Sequence, residues 1–128
     1  MSLRKRLRIV VVDDMATSRG VLVQTLDKIG LSRVSAVASA AEAIPAITSE
    51  GAHLVLSDRI MPGMGGLDLL RHLRGQAATK DIGFILVSGR LDAETVETGR
   101  SLRLNNILSK PFGETELRRA IEGVVGPI

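Results

Sequence analysis

Asp13-Asp14, Asp58, Ser88-Gly89 and Lys110-Pro111 each stand directly after a short apolar run. Three carboxylates brought together repel one another by about 4 kcal/mol per pair at roughly 4 Å and an effective dielectric near 20. Unless a cation sits among them, one or more must take up a proton. An all-oxygen donor set without His or Cys favours a hard cation, and a few carboxylates beside phosphate oxygens describe Mg²⁺. Lys110 adds one positive charge, suited to a carboxylate or a phosphate oxygen. A carboxylate is also a nucleophile that can form an aspartyl phosphate. A metal would then neutralise the oxygens of the transferred group. Ser88 has a hydroxyl to donate to that group, and the backbone N–H groups of Arg59 and Gly89 are expected to donate as well.

For this chemistry the four segments must share one edge of the fold. The hydrophobic pattern supplies the means, because short β-branched runs alternate with longer amphipathic stretches. Strands are expected at Arg8–Val12, Val34–Val37, Leu54–Ser57, Phe84–Val87 and Ile107–Ser109. Helices are expected at Met15–Ile29, from Ser39 onward, at Leu67–Leu73, at Asp92–Leu102 and at Glu114–Val125. Gly30 is a stop signal for the first helix, and Ser39 to Glu42 has the form of a capping box. Pro45 is expected to kink or end the second helix. Leu67, Leu70 and Leu73 should form the inward stripe of the third. Five strands alternating with five helices imply an α/β fold with a doubly wound parallel sheet. Ligands of such sheets lie beyond the carboxyl ends of the strands, where the polar residues fall.

The length, 128 residues, suits one domain. We expect residues 1–7 to be a basic leader and 8–125 the core. No apolar run reaches the roughly 18 residues of a membrane span, and the run after the basic N-terminus is too short for a signal peptide. Cysteine is absent, which removes disulfides and Cys-metal sites and fits a cytoplasmic protein. The net charge of +3 raises the question of nucleic acid. Four of the cations are Arg4, Lys5, Arg6 and Arg8, and no aromatics are interleaved to stack bases. A solvated surface accounts for them. The segment Gly63-Met64-Gly65-Gly66 does not fit a dinucleotide fingerprint, and no Walker lysine motif is present.

The chain resembles the receiver family of two-component response regulators, and within it the stand-alone chemotaxis type. The likeness is carried by Ile9-Val-Val-Val-Asp-Asp14, Leu54-Val-Leu-Ser-Asp-Arg-Ile-Met-Pro-Gly63, Gly66-Leu-Asp-Leu-Leu70, Ile85-Leu-Val-Ser-Gly89 and Ser109-Lys-Pro-Phe112. It runs from about Arg8 to Val125. The resemblance implies a flavodoxin-like sheet of order 2-1-3-4-5. It implies that Asp58 is the phosphoacceptor. Asp14, Asp58 and the Ile60 backbone carbonyl would hold Mg²⁺, with Asp13 assisting. Lys110 would bind the phosphoryl group, the Lys110–Pro111 bond would be cis, and Ser88 would be the switch hydroxyl. The donor would be a histidine kinase or phosphotransfer protein, and the signal would pass by protein–protein contact from a monomer.

The chain departs from the family pattern on its output side. Ile107 stands where an aromatic ring usually reports activation. Arg103-Leu104 replaces a common Gly-Ala, and Gly65 replaces a common Asp, which should loosen that loop. Ile60 and Arg90, two residues after Asp58 and Ser88, carry no carboxamide or carboxylate to orient an attacking water. Two other readings follow: an interaction module without phosphorylation control, or a phosphate sink for a kinase. A phosphatase with an Asp nucleophile would need Asp-x-Asp after the first strand, and Asp13-Asp14-Met15 does not supply it.

Overall fold

Runs rich in Val, Ile and Leu form β1 (Ile9–Val12), β2 (Val34–Val37), β3 (Leu54–Asp58), β4 (Gly83–Ser88) and β5 (Asn106–Ser109) in a computed structural model that describes residues 2–128. All pair in parallel, in the order β2-β1-β3-β4-β5. β1 and β4 are buried along their full length, as a sheet covered on both faces requires. Between the strands run α2 (Ala16–Ile29), α3 (Ala40–Glu50), α4 (Gly66–Arg74), α5 (Ala93–Ser101) and α6 (Glu114–Val125), preceded by the short α1 (Leu3–Arg6). The sheet order is the one expected, and among the described residues the helices number six rather than five.

The extra helix, α1, lies in the basic leader. It has no buried residue, so no apolar periodicity betrays it. Arg4 ties it to the other end of the chain, donating to the Ile128 carbonyl at 3.2 Å. The second correction concerns Pro45, which neither ends nor interrupts α3. Pro45 and Ala41, the residue whose carbonyl loses its partner, are both exposed, so water can satisfy that carbonyl. Ala43 and Ile47, on the opposite side, hold the helix to the sheet. The third is the stripe of α4. Leu69, Leu70 and Leu73 are fully buried, while Leu67 is only half-buried. Each buried leucine contributes about 2 kcal/mol.

The caps follow the sequence signals. Ser39 Oγ accepts from the Glu42 N–H at 3.2 Å. Gly30 closes α2 with φ of 95°, a left-handed conformation that favours glycine. Arg74, at the end of α4, clamps the lower rim of the sheet. Its guanidinium donates to the carbonyls of Leu102, Lys80, Ile82 and Arg103 and to Asn105 Oδ1, all between 2.8 and 3.1 Å. Burial, then the nearby Arg103 charge, lower its pKa, and Asp81 opposes them.

Strand parity decides which helices each side chain meets. Ile9, Val11, Leu54, Leu56, Ile85, Val87 and Leu108 pack with Leu22 and Leu26 of α2 and Leu117 and Ile121 of α6. Val10, Val12, Val55, Phe84 and Leu86 pack with α3 and α4, joined by Leu102, Leu104 and Ile107. Extending each alternation past the strand end puts Asp13, Asp58 and Lys110 on the α2/α6 side. Arg59 and Ser88 fall on the other side.

Candidate functional site

The carboxyl ends of β1, β3 and β5 bring together residues far apart in sequence. β1 and β3 pair Val12 with Ser57, so Asp13 and Asp58 are the next residues on neighbouring strands. Lys110 Nζ stands 3.0 Å from Asp58 Oδ1 and 3.9 Å from Asp13 Oδ2. It also donates to Ser18 Oγ of α2 at 3.3 Å, a partner that sequence pattern did not single out. The Lys110–Pro111 peptide is cis. The Lys110 N–H donates to the Ser88 carbonyl at 2.9 Å, fixing this turn against β4.

One carboxylate oxygen from each of Asp13, Asp14 and Asp58 lies within 4.8 Å of the others. Asp13 is 1% exposed, and its Oδ2 has no hydrogen-bond partner. Its Oδ1 accepts from the Met15 N–H at 3.0 Å, and its carbonyl accepts from Arg19 Nη1 at 2.8 Å. Asp14 is exposed. An unpartnered buried carboxylate oxygen is costly unless a cation meets it. Lys110 at 3.9 Å is too far for a hydrogen bond. The all-oxygen set, with one buried oxygen left over, fits a hard divalent ion that keeps several waters on its open side.

The phosphate-facing donors expected from the sequence divide. The Gly89 N–H takes part in no hydrogen bond among the described residues. The Arg59 N–H, expected to be free, is engaged: it donates to the Val87 carbonyl at 3.1 Å. Strand pairing simply continues one residue past Asp58, and Arg59 belongs to the ladder. The next amide, that of Ile60, has no partner among the described residues. The Arg59 carbonyl accepts from the Gly66 N–H at 2.9 Å, which ties the start of α4 to the end of β3.

Ser88 is 3% exposed and sits on the far side of the sheet from Asp58, as its parity requires. Its hydroxyl donates to the Arg90 carbonyl at 2.7 Å and accepts from the Arg90 N–H at 3.1 Å. On the same side, Arg59 Nη1 donates to Thr95 Oγ1 at 3.1 Å, while Arg59 Nε is buried without a partner. Thr95 in turn holds the Asp92 carboxyl below the ordinary carboxylate value, through side-chain and then backbone hydrogen bonding, with smaller help from the Arg59 and Arg90 charges. Ile107 is half-buried at the edge of the core that packs with α3 and α4, and lines a groove of about 290 Å³ with Val96, Arg100, Leu104 and Asn106. A large part of the rim around the acidic residues is apolar: Met15, Ile60, Met64 and Leu91 are 61%, 68%, 38% and 46% exposed. Among the described residues no helix is long and apolar enough to cross a membrane.

Comparison with known proteins agrees with this geometry. The family model for the response regulator receiver domain matches residues 9–122. The "Probable chemotaxis protein CheY" of Rhizobium etli is 32% identical over 128 residues, covering 100% of this chain and 99% of the relative. A chemotaxis protein CheY homolog of Campylobacter jejuni is 30% identical, covering 94% of this chain and 93% of its own. Among solved structures, Vibrio cholerae CheY4 superposes with a TM-score of 0.87 at 24% identity, over 92% of this chain and 98% of that one. The receiver domain of a signal transduction histidine kinase from Syntrophus aciditrophicus superposes with a TM-score of 0.81 at 26% identity, over 93% and 90%. With a matching profile over nearly the whole chain, matching relatives and the same sheet order, this chain belongs to the receiver domain family of two-component response regulators.

Proposed function

We propose that the chain is a CheY-like single receiver domain, spanning about residues 8–125, that is switched by phosphorylation of Asp58. The observation that carries this reading is the meeting of three carboxylates and one lysine at the strand ends, with Lys110 Nζ 3.0 Å from Asp58 Oδ1. Asp13, Asp14, Asp58 and the Ile60 carbonyl would hold Mg²⁺. Bound there, Mg²⁺ would neutralise the oxygens of the phosphoryl group in transfer. An Asp58 carboxylate oxygen attacks phosphorus, the bond from phosphorus to the donor's imidazole nitrogen breaks, and the freed imidazole keeps that electron pair. Lys110 exchanges part of its contact with Asp58 for a phosphoryl oxygen. The amides of Gly89 and Ile60, rather than that of Arg59, are the ones free to donate to it. Ser88 releases Arg90 and turns toward the new group.

The donor is a histidine kinase or phosphotransfer protein, and the output is contact with another protein. The domain acts as a cytoplasmic monomer, and its only chemistry is its own phosphorylation and dephosphorylation. Ile107, whose side chain offers no hydrogen-bonding group, favours a second reading in which the chain drains phosphate from a kinase without strong output. The first test is intact-mass measurement after incubation with Mg²⁺ and acetyl phosphate. A gain of one phosphoryl group that vanishes in Asp58→Ala is the expected result. No gain, even with a cognate kinase, would refute the reading and leave an interaction module.

A further inference from the structure

Activation at Asp58 needs a route to the helix layer on the opposite face of the sheet. Ile107 lies on that face but can form no hydrogen bond that changes with phosphorylation. Arg59 lies there too and does form one. Its main chain is fixed on both sides, by the bond from its N–H to Val87 and by the bond that its carbonyl accepts from Gly66. Its guanidinium reaches the first turn of α5 and donates to Thr95 Oγ1 at 3.1 Å. Thr95 is 3% exposed, and its N–H donates to Asp92 Oδ1, the α5 cap, at 2.7 Å.

A second path arrives at the same turn. Ser88 grips both the N–H and the carbonyl of Arg90, two residues before Asp92. The Arg59 end is poorly settled where it stands. Its buried Nε has no acceptor, and a cation beside a helix N-terminus opposes the helix dipole. The Asp92 carboxylate that caps α5 offsets that opposition. The Arg59–Thr95 contact therefore depends on the position of the loop from Ser88 to Asp92.

The geometry points to Arg59 and Thr95 as the relay between the Asp58 edge and helix α5, the role that Ile107 cannot fill. This inference rests on the phosphorylation reading above. When Ser88 turns toward a phosphoryl group it must release Arg90. The loop that carries Asp92 then shifts, and Thr95 shifts with it. The Arg59 main chain stays held in the sheet, so only its side chain can take up the shift. The contact between them breaks or re-forms with the state of Asp58, and α5 moves from its N-terminal end.

Amide NMR of the whole chain tests this, with Mg²⁺ alone and then with Mg²⁺ and beryllofluoride as a phosphoryl mimic. In the parent protein the Gly89 and Lys110 amides should shift, and so should those of residues 93–101. Thr95→Val keeps the side-chain shape and removes only the hydroxyl. Arg59→Met keeps the unbranched apolar stem and removes the guanidinium. Both should retain the Gly89 and Lys110 shifts while the α5 response falls by roughly half or more. Ile107→Ala should leave the α5 response in place. An undiminished α5 response in Thr95→Val and Arg59→Met would overturn the relay, as would its loss in Ile107→Ala. Absence of the Gly89 and Lys110 shifts in the parent would instead overturn the phosphorylation reading, and the relay with it.

Discussion

Gly66 opens α4 against the main chain of Asp58, and its replacement by alanine joins the packing of the fold to the position of the proposed phosphoacceptor. A β-carbon there would overlap the Asp58 carbonyl oxygen and stand 2.8 Å from Leu86 Cδ1. Neither neighbour can give way. Leu86 is fully buried, and Asp58 is paired with Val87 in the sheet. The helix must move instead, and with it the buried Leu69, Leu70 and Leu73. Overpacking of a well-filled site costs about 1–3 kcal/mol, and a clash with main chain belongs at the upper end, so we expect a loss of about 3 kcal/mol. At about 4 °C per kcal/mol for a chain of this size, Tm should fall by about 12 °C. Gly20→Ala is the control. It lies inside α2 with nothing within 4 Å of the added carbon, and it should gain about 0.8 kcal/mol from helix propensity. Urea unfolding followed by circular dichroism measures both. The acceptance of a phosphoryl group from acetyl phosphate should fall in Gly66→Ala at temperatures where it is still folded. A Gly66→Ala protein within about 0.5 kcal/mol of the parent would refute the packing argument, since that is the scatter of neutral surface changes.

Mg²⁺ at a hundredfold excess over its dissociation constant should raise the unfolding free energy by about 2.7 kcal/mol, and Asp13→Asn should abolish most of that gain; equal stabilisation of the two proteins by Mg²⁺ would count against the site. Ile60→Asn should shorten the lifetime of the phosphorylated protein several-fold, because the carboxamide can orient the water that the exposed Ile60 shields. An already short lifetime, unchanged in the variant, would remove that idea. The depressed pKa of the Asp92 carboxyl gives a pH signature. Its stabilising contribution is present above the unfolded value, near 3.9, and is lost as pH falls through the lower folded value. The urea midpoint of the parent relative to Asp92→Asn should therefore drop on acidification, and a constant difference would contradict the assigned cause.

The sequence makes the sheet legible because each strand is a short apolar run bounded by polar turns. Leu54–Ser57 extends by one residue to Asp58, and Phe84–Val87 by one at each end. The same runs place Asp13, Asp58 and Lys110 on one edge, and parity puts them on one face. Features that depend on contact across the chain stay hidden. The Arg59–Thr95 bond joins residues 36 apart in sequence, and neither residue type announces it. Arg59 reads as a loop residue with a free amide, because nothing local shows that β4 continues to pair with it. α1 is a single turn, Leu3 followed by three basic residues, so it is too short to show the pattern by which a helix is recognised. Pro45 leaves α3 unended for the opposite reason. Its local penalty is real, but its exposure lets water supply the missing bond.

Arg74 bears on how α5 can move. Its five hydrogen bonds hold the carbonyls of Leu102 and Arg103, just beyond the C-terminal end of α5, and bind them to the start of β4. One end of α5 is thus anchored through the five bonds of a single guanidinium, while the other is held by its Asp92 cap and the Arg59–Thr95 contact. A helix of 9 residues fixed at one end is a lever about 13 Å long. A swing of about 10° about Arg74 carries the free end through about 2 Å, enough to exchange one hydrogen-bond partner for another. The same swing moves Val96, which lines the groove beside Ile107, by more than about 1 Å, while Leu104 and Asn106 beyond the pivot stay in place. A binding partner that senses the switch would therefore read the Asp92 end of α5 and the Val96 wall of that groove, and one that touched only Asn106 would sense little of it.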